Sequence, residues 1–104
     1  MKLELTAIIH NIAGIEPLSK GFKQNVILWI PESKDEFNTV TRKEQFFRIE
    51  IYSTNQTDKR FLDSSQIKAK TKAVLYLNGE RWLNDSTKEF NYNNKLKLAE
   101  WQKA

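Results

Sequence analysis

Near the start of the chain, apolar and polar positions alternate with a period of two. Leu3, Leu5, Ala7 and Ile9 fall on one side and Glu4, Thr6 and Ile8 on the other, the signature of a half-buried strand. Gly14-Ile15-Glu16-Pro17-Leu18-Ser19-Lys20-Gly21 then gathers glycine, proline and serine, residues that turn a chain, and predicts a hairpin loop. From Phe22 the alternation returns, with Val26, Leu28 and Ile30 against Lys23, Asn25, Ile27 and Trp29. Pro31, which has no N–H to give a ladder, ends this second strand. Glu32 to Glu44 carries both charge signs and few apolar residues, and reads as a solvated connection. A third strand runs from Phe46 to Tyr52, with Phe47, Ile49 and Ile51 inward and Phe46, Arg48, Glu50 and Tyr52 outward.

Ser53-Thr54-Asn55-Gln56-Thr57-Asp58 supplies residues that cap a helix, and Phe61, Leu62 and Ile67 supply the apolar side of one or two turns. A fourth strand follows, Ala69, Thr71, Ala73, Leu75 and Leu77 alternating with Lys70, Lys72, Val74 and Tyr76. Leu77-Asn78-Gly79-Glu80-Arg81-Trp82 interrupts the pattern, a polar insert follows, and Lys95 to Trp101 resumes it as a fifth strand anchored by Leu96 and Leu98. The order is three strands, a short helical crossover and two strands. Closing them on each other satisfies the strand edges better than an open sheet does. The expected fold is therefore all-β, a five-stranded OB-fold barrel with a short helix between strands 3 and 4.

With 104 residues, a single domain spanning 1–104 is expected. A formal charge of +4 from 17 basic and 13 acidic side chains favours polyanion partners. The chain has no cysteine, which excludes disulfides, thiolate metal sites and a cysteine nucleophile and fits a cytoplasmic protein. Met1-Lys2-Leu3-Glu4-Leu5 carries an acid among its apolar residues, so it reads as a strand and not a signal peptide. No run approaches the roughly 20 apolar residues of a membrane span. His10 is the single histidine and pairs with no nucleophile at a recognisable spacing. Asp35, Glu36, Glu80 and Asp85 lack the context of a paired-carboxylate site, and Gly14, Gly21 and Gly79 are isolated rather than a phosphate loop. The expectation is a protein without catalytic activity, cofactor or metal.

Phe22-Lys23-Gln24, Phe61, Leu77-Asn78-Gly79-Glu80-Arg81-Trp82 and Ala99-Glu100-Trp101 together resemble a small bacterial OB-fold family of unassigned function, itself similar to the bacterial single-stranded DNA-binding proteins. The resemblance spans nearly the whole chain. It implies a five-stranded barrel, single-stranded DNA as ligand, no catalysis, and assembly into a homodimer or homotetramer. The segments from Pro31 to Gln45 and from Leu83 to Asn94 look longer than that family's pattern, so loop contacts do not carry over. The chain stops at Trp101-Gln102-Lys103-Ala104 without the acidic tail by which those proteins recruit enzymes, so that role is not expected here.

In an OB-fold the ligand crosses strands two and three, flanked by the first hairpin loop and the loop between strands four and five. The candidate nucleic-acid-binding residues are Lys23 and Trp29, Arg48 and Tyr52, and, from the last hairpin, Arg81, Trp82 and Tyr92 beside Phe90. Lysine and arginine attract phosphates, and flat rings stack on unpaired bases of DNA or RNA. Structural alternatives stand beside these readings. Trp29 caps a barrel end, Phe46 packs under the long connection, Trp82 staples the hairpin, and Lys68, Lys70 and Lys72 protect an exposed strand edge. A competing function is an OB-fold protein-interaction module, an oligomerising accessory protein of a mobile element, with Ile27, Trp29, Val74 and Tyr76 as a subunit-pairing patch.

Overall fold

The computed structural model describes all 104 residues. Eight strands are formed: β1 (Lys2–Ile12), β2 (Glu16–Leu18), β3 (Gly21–Ile30), β4 (Ser33–Lys34), β5 (Val40–Arg42), β6 (Gln45–Ser53), β7 (Lys70–Asn84) and β8 (Glu89–Lys103). Five of them close a ring in which β1 pairs with β3, β3 with β6, β6 with β8, β8 with β7 and β7 with β1. All these pairings are antiparallel except β6–β8, which meet in parallel at Glu50 and Lys97. The closed five-stranded barrel read from the alternation is present, and this ring is an OB-fold.

The inward sets of the sequence pattern form the core. Ala7, Ile9, Val26, Leu28, Ile49, Ile51, Ala73, Leu75 and Leu98 are buried together, and Leu62 closes the cluster from the crossover. Removing a large aliphatic side chain of this kind from water contributes about 1.5–3 kcal/mol. The crossover carries no α-helix. It contains a single 3-10 turn, Ser64–Gln66, capped by Asp63, whose carboxylate accepts from the Ser65 N–H at 3.0 Å while Gln66 Oε1 accepts from the Asp63 N–H at 3.0 Å. The cap expected at Ser53 to Asp58 belongs instead to turns in which Asn55 and Asp58 accept from nearby N–H groups.

Both long connections hold more structure than their polarity suggested. Glu32 to Glu44 contains the β4–β5 hairpin, whose turn is organised by Asp35 Oδ1 accepting from Phe37 N–H and Thr39 N–H, each at 2.9 Å. The polar insert from Leu83 is no loop: the β7–β8 ladder runs without a break from Leu75 and Leu98 to Asn84 and Glu89. A strand of 15 residues at about 3.3 Å each spans roughly 50 Å, and the longest dimension of the molecule is 53 Å. The outer half of the hairpin is a two-stranded ribbon reaching past the barrel.

Two surface readings are corrected. Lys72 lies where β7 pairs with β1 on one side and with β8 on the other, so it protects no edge and instead pairs with Glu4 at 3.1 Å, whereas Lys70 is paired with β1 alone. Lys68 precedes the strand at a φ of 76°. Val74 is only 1% exposed and belongs to no surface patch, although Tyr76 beside it stays open. No helix of the protein is long and apolar enough to cross a membrane.

Candidate nucleic-acid interface

The register between β3 and β6 decides which outward side chains are neighbours. Trp29 faces Phe46, Ile27 faces Arg48, Asn25 faces Glu50 and Lys23 faces Tyr52. Because alternate residues share a face, these four pairs form one stripe on the barrel wall, opposite the buried Val26, Leu28, Ile49 and Ile51. Lys23, Trp29, Arg48 and Tyr52 are thus brought together.

One end of the stripe is aromatic. Phe46 is half exposed and does not pack under the connection; the His10 ring stands edge-on to it at 5.1 Å and lies 6.4 Å from Trp29. The Trp29 indole N–H donates to Glu44 Oε2 at 2.9 Å, which fixes one edge of the ring. His10 reaches this group from β1, beside a register shift between Ile9 and Asn11. Phe46 and His10 were outside the sequence-derived site; only the register, which alternation does not supply, places them beside Trp29.

The other end is a charged network. Glu50 sits on the outward face yet is 6% exposed, its Oε2 accepting from the Tyr52 hydroxyl at 2.6 Å and from Lys23 Nζ at 3.0 Å. Burial alone would raise the Glu50 carboxyl, but those two bonds and the charges of Lys23 and Lys95 outweigh it and leave the group below its ordinary value. The same contact with Glu50 holds Lys23 above its ordinary value against desolvation, and burial followed by Glu50 raises the Tyr52 phenol. Near neutrality the trio is a lysinium, a carboxylate and a neutral phenol. Lys23, read from sequence as a free phosphate contact, is held by Glu50, whereas Arg48 is exposed and forms no ion pair. Lys97, which sequence reasoning left out of the site, brings a second cation to the Tyr52 ring at 5.2 Å, beside Lys23 at 5.8 Å.

The last hairpin divides its candidates. Trp82 lies opposite Asn91, on the side shared by Glu80, Lys95 and Lys97, and Glu80 and Lys95 approach to 3.8 Å. Arg81, opposite Tyr92, and Leu83, opposite Phe90, occupy the other side, where the Arg81 guanidinium lies 4.2 Å from the Phe90 ring centroid. By alternation it is the Trp82 side that continues the outer wall bearing Lys97. Arg81 and Tyr92 are not gathered with the stripe.

Tyr52 is held from behind. The Arg60 guanidinium donates to the Tyr52 carbonyl at 2.6 Å and the Leu98 carbonyl at 3.3 Å, and pairs with Asp58 at 3.0 Å, while the Trp101 indole donates to the Arg60 carbonyl at 2.8 Å. Arg60, through its side chain and backbone N–H, and then the Ser53 hydroxyl keep the Asp58 carboxyl well below the usual carboxylate range. A carboxyl lowered by folding contributes stability that is complete above its unfolded value, about pH 4, and is lost as the pH falls toward the folded value. Glu50 acts with the same sign. The thermal midpoint should therefore fall on acidification below about pH 4, and Asp58→Asn should lower it near neutrality and flatten that acid limb, as read by circular dichroism melts. An unchanged acid limb in that variant would show that the clamp does not set the pH dependence.

No protein family matches the chain, and no curated protein does. Among solved structures it is similar to the Plasmodium falciparum SSB in its complex with ssDNA, with a TM-score of 0.61 and 20% identity over 93% of this chain and 84% of that chain. The likeness is one of fold, and it agrees with the five-strand ring.

Proposed function

We propose that the protein binds single-stranded DNA with little sequence preference, by stacking bases on the β3–β6 stripe and attracting phosphates to the cations around it. The observation that carries this reading is the stripe itself: Trp29 and Phe46 at one end, Tyr52 between two lysines at the other, and the unpaired Arg48 in the middle. Rings serve any base because every base has a π-face, and cations serve any phosphate, so such a surface binds without reading sequence. The fold shared with a protein solved in complex with ssDNA supports the same reading. Trp82 extends the surface along the ribbon. Arg81 and Tyr92, on the ribbon's other side, reach the strand only if it wraps that edge.

The test is a titration of a fluorescent oligo(dT) strand of about thirty nucleotides at two salt concentrations. Affinity should drop steeply with salt. Arg48→Ala should weaken binding uniformly across sequences and reduce the salt slope by about one. Absence of salt-sensitive binding would overturn the proposal and favour the protein-interaction module, whose apolar contacts do not weaken with salt.

A further inference from the structure

Glu50 puts a carboxylate within a face whose cations attract phosphates. Burying a charge is costly unless it is compensated, and here Tyr52 and Lys23 compensate it at a single oxygen, Oε2. Oε1 accepts no hydrogen bond from the protein. The Glu50 side chain keeps 7% of its surface open to solvent, and Oε1 is the oxygen that neither of these contacts uses. The protein thus presents a fixed, ionised acceptor beside an aromatic ring, between Arg48 and Tyr52 on β6 and across from Asn25 on β3.

The ligand must bring a donor. Phosphodiesters have none, and the sugars inside a DNA strand have no hydroxyl, so only base edges can donate to Oε1. Cytosine, adenine and guanine carry an exocyclic amino group. Thymine carries one ring N–H between two carbonyl oxygens, which would face the carboxylate as like partial charges. We propose that Glu50 is a specificity-determining residue of this face, its Oε1 accepting from the amino group of a base stacked on Tyr52, so that binding is biased against thymine. The proposal rests on the stripe being the DNA-binding face. It adds one discriminating contact to a surface that otherwise ignores sequence. The Tyr52 hydroxyl holds the carboxylate at the polar end of the ring, and Lys23 holds it from the neighbouring strand. Lys97, opposite Glu50 in the parallel pairing of β6 and β8 and 5.2 Å from the Tyr52 ring, is the cation a bound phosphate would recruit.

The experiment compares oligo(dC) and oligo(dT) of equal length, in mildly alkaline buffer so that cytosine stays unprotonated, and adds a strand of N4,N4-dimethylcytosine, which keeps the ring and loses both amino donors. A hydrogen bond to a charged group predicts that oligo(dC) binds about tenfold more tightly than oligo(dT), and that the dimethylated strand falls to the oligo(dT) level. Glu50→Gln should narrow the oligo(dC)-to-oligo(dT) ratio to about threefold, because a neutral acceptor forms a bond about half as strong. Equal affinity for the two strands, tight binding of the dimethylated strand, or an undiminished ratio in a folded Glu50→Gln protein would each overturn the assignment and leave the binding face standing. If Glu50→Gln does not fold, the dimethylated strand decides alone. Failure of every strand to bind would instead overturn the proposed function.

Discussion

Gln24→Leu is expected to lower the unfolding free energy by about 3 kcal/mol or more, although the two side chains are similar in size and no cavity is opened. Gln24 is 2% exposed, and its amide is shared with the crossover. Oε1 accepts from the Leu62 N–H at 2.8 Å, and Nε2 donates to the Leu62 carbonyl at 2.8 Å and the Ala13 carbonyl at 3.0 Å. Leucine leaves all three backbone groups without this partner, and Leu62 is itself buried. Each buried polar group left unsatisfied costs about 1–3 kcal/mol. For a chain of this length, 1 kcal/mol moves the melting midpoint by roughly 4–8 °C, so a drop of more than about 10 °C should be seen. In urea the midpoint should fall at an unchanged slope. A loss under about 1 kcal/mol would mean that apolar contacts of Leu62 and Phe61, rather than Gln24, seat the crossover on the barrel.

Gln24 illustrates what alternation reveals and what it conceals. The period of two puts position 24 on the inward face with Val26 and Leu28, which accounts for its burial, but its two partners on Leu62 lie 38 residues away in a segment without regular structure. The same division runs through the molecule. Inward and outward sets on β1, β3, β6 and β7 were readable because a core on one side and water on the other impose the pattern. The ribbon was not, since water lies on both its sides and no apolar alternation is required there. Val74 and Glu50 face outward as expected yet are buried, and Glu50 is covered by the side chains of Lys23 and Tyr52, which no backbone period encodes. Four of the candidate site residues fell on one face by alternation alone. That Trp29 has Phe46 as its neighbour, and Lys23 has Glu50, followed only from the strand register.

On the ribbon, register separates residues that are adjacent in sequence, and this makes the two aromatic candidates unequal. Trp82→Ala should weaken single-stranded DNA binding by about 1–3 kcal/mol, the usual loss of a stacking ring, and leave stability within about 0.5 kcal/mol, since the side chain is 56% exposed. Tyr92→Ala removes a ring that is more open, at 74% exposed, and exposure alone would make it the better stacking platform. Its side of the ribbon decides otherwise. Tyr92 stands opposite Arg81, whereas Trp82 shares its side with Lys95 and Lys97, and Lys97 already reaches the Tyr52 ring. A strand lying along the stripe and leaving over Lys97 therefore meets Trp82, and Tyr92→Ala should cost less than about 0.5 kcal/mol of binding. Equilibrium titrations of the two variants against one oligonucleotide measure the difference. Equal losses would mean that the strand wraps the ribbon edge and touches both sides. A loss at Tyr92 alone would reverse the assignment of the binding side, and no loss at either would confine binding to the barrel wall, where Trp29, Phe46 and Tyr52 would have to supply all the stacking.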